Sequence, residues 1–275
     1  MSVSNSAKSL IPSDPSKVMV IRDVHHTITT FSTPFLRFGR IKIGGRGTLV
    51  KLQSGSLAIF SPVALTDEVK STIASKGGAV RYIVAPDIEH HIFVTPWAHA
   101  YPDAEVIGVE GLPEKREGDA ATKGVKFHHV FSASNKRDLK VSPEFDSEFE
   151  VEYFHSHQNK ELAVLHKPSR TLIEADLLFN LPATEQFSKS GTAATSGILT
   201  KLFGGIMNTR GNMAWQKRAT WYGPGSSDRA AFGESARRVS GWDFDRIVPC
   251  HGDVIETGGK AKWDTLFSWF MEVKK

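Results

Sequence analysis

At 275 residues, with 40% hydrophobic and 23% charged residues, the chain can form one large domain or two small ones of ordinary globular composition. A net charge of +4 without a dense Lys/Arg stripe excludes an electrostatic nucleic-acid footprint. No apolar run reaches the ~18 residues of a membrane helix, so neither nucleic acid nor a membrane is an expected partner.

The polar segment 1–17 lacks the apolar core of a signal peptide and reads as a mobile tail. Cys250 is the single cysteine, which excludes an internal disulfide, fits a reducing compartment and points to the cytoplasm. After the tail, 17–22 and 25–31 read as strands. Segments 48–52 and 56–60 flank Gln53, Ser54 and Gly55 as a hairpin. Residues 66–75 open on a Thr66 cap with Asp67 and Glu68 in the first turn and stop at Gly77 and Gly78, the pattern of a helix. Tyr82, Ile83 and Val84 form a short apolar strand bounded by glycines and Pro86, and Asp87, Glu89, His90 and His91 crowd its end.

A helix is predicted over 92–100 with a kink at Pro96, then a strand over 104–109 and a charged surface loop over 114–124. Strands at 126–131 and 148–154 follow, and 161–166 and 171–176 pair as a second hairpin. Periodicity fails between 181 and 225, which reads as an irregular insertion serving as a lid or a partner surface. Residues 227–240 form a helix with Ser227 as N-cap, and 245–250 a terminal strand. Residues 262–272 close the chain as a helix whose Trp263, Phe267, Trp269 and Phe270 are expected to pack into the core. The expectation is one domain over 18–275 carrying an insertion at 181–225.

Polar residues of one chemical kind recur at the predicted strand ends: Asp87 to His91, then His155 and His157, Asp176, and His251. Any one of these histidines would more often be an ordinary loop residue. Imidazoles and carboxylates converging from separate strand ends suit zinc, iron or manganese.

The order of these elements resembles the metallo-β-lactamase fold, an α+β architecture with two sheets sandwiched between helices and a metal site along the sheet edges. TLIEADLLFN resembles the segment carrying the bridging aspartate, which implies that role for Asp176. IVPCHGD resembles the final ligand segment, at His251, and FHSHQNKELAVLH the middle one, at His157. The first motif of that family, HxHxDH, is degenerate: with His91 as its last histidine, its leading histidines become Pro86 and Ile88, and its aspartate becomes His90.

The resemblance therefore implies one metal, drawn from His90, His91, His157, Asp176 and His251, with the side chains of His91, Asp176 and His251 entering one pocket. Cys250 reads as a small buried residue beside the ligand rather than a ligand. The implied function is a mononuclear metal-dependent hydrolase, with zinc foremost and iron or manganese as alternatives. Glu89 and His157 would manage the proton. The substrate would be a small ester, lactone or phosphoester, possibly anionic, lying under the insertion. The alternatives are a non-catalytic binding protein that keeps the fold, and an iron-dependent oxidoreductase.

Overall fold

The computed structural model describes residues 10–273. Its first half runs β1 (Val20–His25), β2 (Ile28–Thr33), a short ribbon β3 (Leu36–Arg37) and β4 (Ile41–Lys42), β5 (Gly45–Lys51), β6 (Leu57–Phe60), α1 (Asp67–Ser75) and β7 (Val80–Val84). It continues through α2 (Val94–Ala100), β8 (Glu105–Val109), α3 (Leu112–Glu117) and β9 (His129–Phe131). These strands build a seven-stranded sheet in the order β1-β2-β5-β6-β7-β8-β9, antiparallel as far as β6 and parallel from β6 to β9.

The second half holds α4 (Pro143–Glu148), β10 (Phe149–Phe154), β11 (Glu161–His166), β12 (Thr171–Glu174), α5 (Thr184–Phe187) and α6 (Ile198–Ile206). Then come α7 (Ala214–Tyr222), α8 (Arg229–Ser240), β13 (Arg246–Pro249) and α9 (Gly259–Glu272). Strands β10-β11-β12-β13 form a four-stranded sheet whose last pair is parallel.

The period of two along these strands assembles the layers. Tyr153, Leu162, Val164, Ile173 and Val248 join the core shared with the first sheet. Their chain neighbours Phe154, Ala163, Leu165, Leu172 and Ile247 face a second core, closed by Phe232 of α8 and by Trp263 and Phe267 of α9. Both faces of the small sheet are thus covered, giving the αββα sandwich. Trp263, Phe267 and Phe270 of the closing helix are fully buried as its sequence implies, whereas Trp269 is only half-buried, edge-on to Trp221.

Local signals explain the clearest elements. Thr66 Oγ1 accepts from Val69 N at 3.3 Å, and Asp67 and Glu68 sit against the positive end of α1. Several expectations are corrected. Residues 1–9 of the expected tail lie outside the described residues, whereas Leu10 O accepts from Leu36 N at 2.8 Å and Ile11 packs on the main core. Pro96 lies in the first turn of α2, where its missing N–H leaves no intrahelical bond unmade, so it is no break.

The expected loop at 114–124 begins inside α3, whose Arg116 is fully buried. The 181–225 segment is not irregular throughout, since it contains α5, α6 and α7. The N-cap of α8 is Asp228, which accepts from Ala231 N at 2.9 Å, while the Ser227 hydroxyl donates to Ser156 O.

Candidate metal centre

The ends of β7, β12 and β13 meet along the shared edge of the two sheets. Two backbone bonds lock the loops there: Leu162 N donates to Pro86 O at 2.7 Å, and Ile88 N to Asn159 O at 3.1 Å. After β7, buried Asp87 turns the chain, its Oδ1 accepting from Glu89 N and His90 N at 2.8 and 2.7 Å. That turn swings His90 inward, where its Nδ1 meets both carboxylate oxygens of Asp87 at 3.0 and 2.9 Å. After β12, Glu161 collects three backbone N–H groups, from Ala175, Asp176 and Leu177, and so fixes the bend that presents Asp176. After β13, His251 Nδ1 lies 2.6 Å from Gly44 O.

His251 Nε2 is the hub of the site. It lies 3.1 Å from His90 Nε2 and 3.2 Å from Asp176 Oδ1. A carbonyl oxygen can only accept, so His251 Nδ1 donates to it, and Nε2 is the nitrogen left to face His90 Nε2 and Asp176 Oδ1. The contact with Asp176 does not have hydrogen-bond geometry, which leaves Oδ1 a buried acceptor without a donor. The other oxygen, Oδ2, accepts from Asn159 Nδ2 at 2.5 Å. Two groups of donors lie close enough for one ion: His90, Cys250 and His251, and Asp87, His90 and Asp176.

Electrostatics reinforce the convergence. Burial opposes a charge on His90, but the Asp87 carboxylate and Cys250 outweigh it and hold the ring well above its usual pKa. Burial would likewise raise Asp176, yet contact with His251 and the charge of His90 keep it far below the carboxylate range. Burial would raise the Cys250 thiol too, but His90 and His251 draw it down to about 7.

The sequence-predicted residues divide. His90, Asp176 and His251 come together. His91 lines the same cavity but turns from the cluster: its Nδ1 lies 3.1 Å from Arg116 Nη1, and burial with the Arg116 and Lys115 charges pushes its pKa down to about 4. His91, Asp176 and His251 thus share the cavity as expected, but His91 belongs to neither donor group, and His90 is the residue common to both.

His157 is buried outside the cavity wall, accepting from Asn159 N at 3.2 Å, and its Nε2 has no partner among the described residues. Glu89 stands at the cavity rim, its Oε1 bound to Lys115 Nζ at 2.9 Å. Sequence reasoning set Cys250 aside and left Asp87 out of the ligand set. The adjacency of Cys250 to His251 and the Asp87-x-x-His90 spacing were the available signals.

Above the cluster opens a cavity of about 610 Å³, with His90, Asp176, Cys250 and His251 on its floor and Phe35, Ile43, Val63 and Phe93 among its apolar walls. None of its lining residues comes from 181–225, so the insertion does not cover it as expected; the β3–β4 ribbon and the loops after β6 and β7 do.

This arrangement, two sheets between helices with histidine and acid donors along their common edge, is that of the metallo-β-lactamase fold. Comparison with solved structures shows the same fold. A metallo-β-lactamase from Pontibacter korlensis superposes with a TM-score of 0.57 at 12% identity, covering 93% of this chain and 100% of that one. One from Hirschia baltica gives 0.56 at 10% identity, covering 94% and 100%. The metal-soaked Flv1 flavodiiron core from Synechocystis sp. PCC6803 gives 0.58 at 11%, covering 92% of this chain and 61% of that one. Identities this low mark a divergent branch of the fold. Residues 36–193 match the family model described as Domain of unknown function (DUF4336), and the chain belongs to that family. No curated protein matches it.

Proposed function

We propose that the protein is a metal-dependent hydrolase holding one divalent transition metal through His90, Asp176 and His251, with Cys250 beside them as a further donor. The observation that carries this reading is the outer support of the two imidazoles. His90 has its Nδ1 on a buried carboxylate and His251 on a backbone carbonyl, the partners that metal-binding histidines use to aim Nε2 at an ion. The donorless Asp176 Oδ1, 3.2 Å from His251 Nε2, fits a cation between them. The mixed nitrogen, oxygen and sulfur donors suit zinc first and iron second.

A bound ion of this kind would supply Lewis acidity and lower the pKa of a water to about 7. The chain supplies the rest. Asn159 holds the Asp176 carboxylate in orientation, and the apolar walls exclude bulk water from the floor. Glu89 at the rim is the carboxylate available to pass a proton to solvent. His157, lying outside the cavity, supports Asn159 rather than meeting substrate. The cavity suits a small, mainly apolar ester, lactone or phosphoester, and Arg37 at its mouth suits an anionic group.

Metal analysis of untagged protein after dialysis tests the reading, with one equivalent of zinc or iron expected and chelator-sensitive hydrolysis of an ester panel. The ligand count sets this expectation: the other half of a two-metal site would need side chains where Pro86 and Ile88 stand. Two tightly held equivalents would overturn the mononuclear site. None, with the fold intact, would favour a binding protein.

A further inference from the structure

Five of the six large hydrophobic side chains exposed among the described residues lie on two consecutive helices: Ile198, Leu199 and Leu202 on α6, and Trp215 and Tyr222 on α7. The sixth, Phe38, sits at the tip of the β3–β4 ribbon, and α6 packs against both that ribbon and α7. The inner face of α6 is ordinary, with Thr200 buried and Phe203 edge-on to Phe179 at 6.2 Å. Its outer face, at 198, 199, 201, 202 and 205, is apolar apart from Lys201, with Ile198 86% and Leu202 64% exposed. Contiguous exposed apolar surface of this kind marks an interaction site.

The charge of the segment that carries it has one sign. Residues 187–227 contain no Asp or Glu, but they contain Lys189, Lys201, Arg210, Lys217 and Arg218. A small cavity of about 170 Å³ opens beside α6, and its lining includes Lys42, Lys201 and Arg210 and no carboxylate. Lys201 and Arg210 form no ion pair among the described residues, while Lys42 Nζ donates to Ala193 O at 3.1 Å and to the Ser196 hydroxyl. Arg218 lies over the Trp215 ring at 5.5 Å, a cation joined to an amphipathic aromatic.

We propose that α6, the adjoining part of α7 and the β3–β4 ribbon form a peripheral docking surface for an anionic phospholipid bilayer. Ile198, Leu199 and Leu202 enter the acyl boundary, Lys201 and Arg210 meet lipid phosphates, and the small cavity accepts one phosphate. Exposed aliphatic side chains on a segment whose only charges are cationic match the layering of such a bilayer, apolar beneath a negative surface. A protein interface would more typically surround its core with a rim of mixed polarity and both signs of charge. No helix among the described residues is long and apolar enough to cross a membrane, so the attachment is to the surface. This inference does not depend on the metal reading, since none of its residues lies in the metal cluster.

Sedimentation of the full-length protein with vesicles tests it, comparing pure phosphatidylcholine with phosphatidylcholine mixed with phosphatidylglycerol. Binding to the mixed vesicles is expected, falling as salt rises. Leu202→Glu and Arg210→Glu should each weaken it roughly tenfold or more, while thermal melting stays unchanged because both sites are exposed. Equal binding to both vesicle types, or variants that bind like the parent, would overturn the proposal. A surface that serves an acidic protein instead would leave the chain in the supernatant with either vesicle, and that result too would overturn it.

Discussion

His251→Ala is expected to strip the protein of its metal, leaving under a tenth of an equivalent after dialysis while the far-ultraviolet spectrum stays that of the parent. The expected size follows from position. His251 Nε2 is the atom common to the two closest contacts of the cluster, at 3.1 Å from His90 and 3.2 Å from Asp176, so its loss leaves no pair of close donors that includes the end of β13 except through Cys250. Losing an outer partner of a ligand typically costs ~10–100-fold in metal affinity, and losing the ligand itself costs more.

Three variants should therefore fall in order. His251→Ala loses the metal, Asp87→Asn weakens it ~10–100-fold by removing the charged partner of His90, and His157→Gln weakens it least, because His157 lies outside the cavity wall. Affinities from competition with a chromophoric chelator give the ranking. A His251→Ala protein that keeps a full equivalent, or a His157→Gln protein that loses it first, would show that the metal sits elsewhere.

The place of Asp176 and His251 in the cavity was legible in the sequence because each lies two residues past the end of an apolar strand, and a strand end has few ways to point. The choice between His90 and His91 was not. Adjacent residues leave a turn in opposite directions, and the direction here is set by Asp87, which accepts two successive N–H groups and curls the chain so that His90 faces in. His91 is drawn the other way by Arg116, a guanidinium buried on a segment whose charge reads as loop.

Helices α6 and α7 were hidden for a related reason. Gly204 and Gly205 lower the helix propensity of α6, and its outward face carries the apolar residues that a pattern search assigns to a core. By contrast, α1 was read correctly down to its cap, since Thr66, Asp67 and Glu68 act within one turn and need no tertiary partner. Local chemistry survives in a single sequence. Placement by a distant side chain does not.

Such a distant side chain also carries the second large effect. Arg46, on β5, is fully buried, and its guanidinium spans the gap between the sheets to the loop that bears His251. Nη1 donates to Pro249 O at 2.6 Å and to Gly252 O at 2.7 Å, Nε donates to Ser32 Oγ at 3.0 Å, and Nη2 pairs with Glu185 at 3.4 Å. The bonded carbonyls flank Cys250 and His251, so the guanidinium grips both ends of the ligand turn. Gln186 braces the same turn, donating to Cys250 O at 2.8 Å and accepting from Gly252 N at 3.0 Å. Gly252 is held at φ +93° with no room for a Cβ, which would lie 2.2 Å from Asn180 O, so only glycine fits this turn.

Arg46→Met keeps much of the volume but strands two buried carbonyls and removes one of the two cationic partners of Glu185, which keeps Arg22 at 2.7 Å. Removing one member of a buried charged network costs about 3–5 kcal/mol, and urea unfolding should show a loss of that order. Arg46→Lys should recover only part of it, because an ammonium cannot reproduce the fork that reaches both carbonyls. Metal affinity should fall with stability, as the turn carrying His251 loosens. Arg170→Met, which removes a solvent-exposed pair with Asp243, is the control and should leave the unfolding midpoint where it is. If Arg46→Met unfolds at the same urea concentration as the parent, the clamp does not hold the turn, and the position of His251 must depend on Gln186 and Gly44 alone.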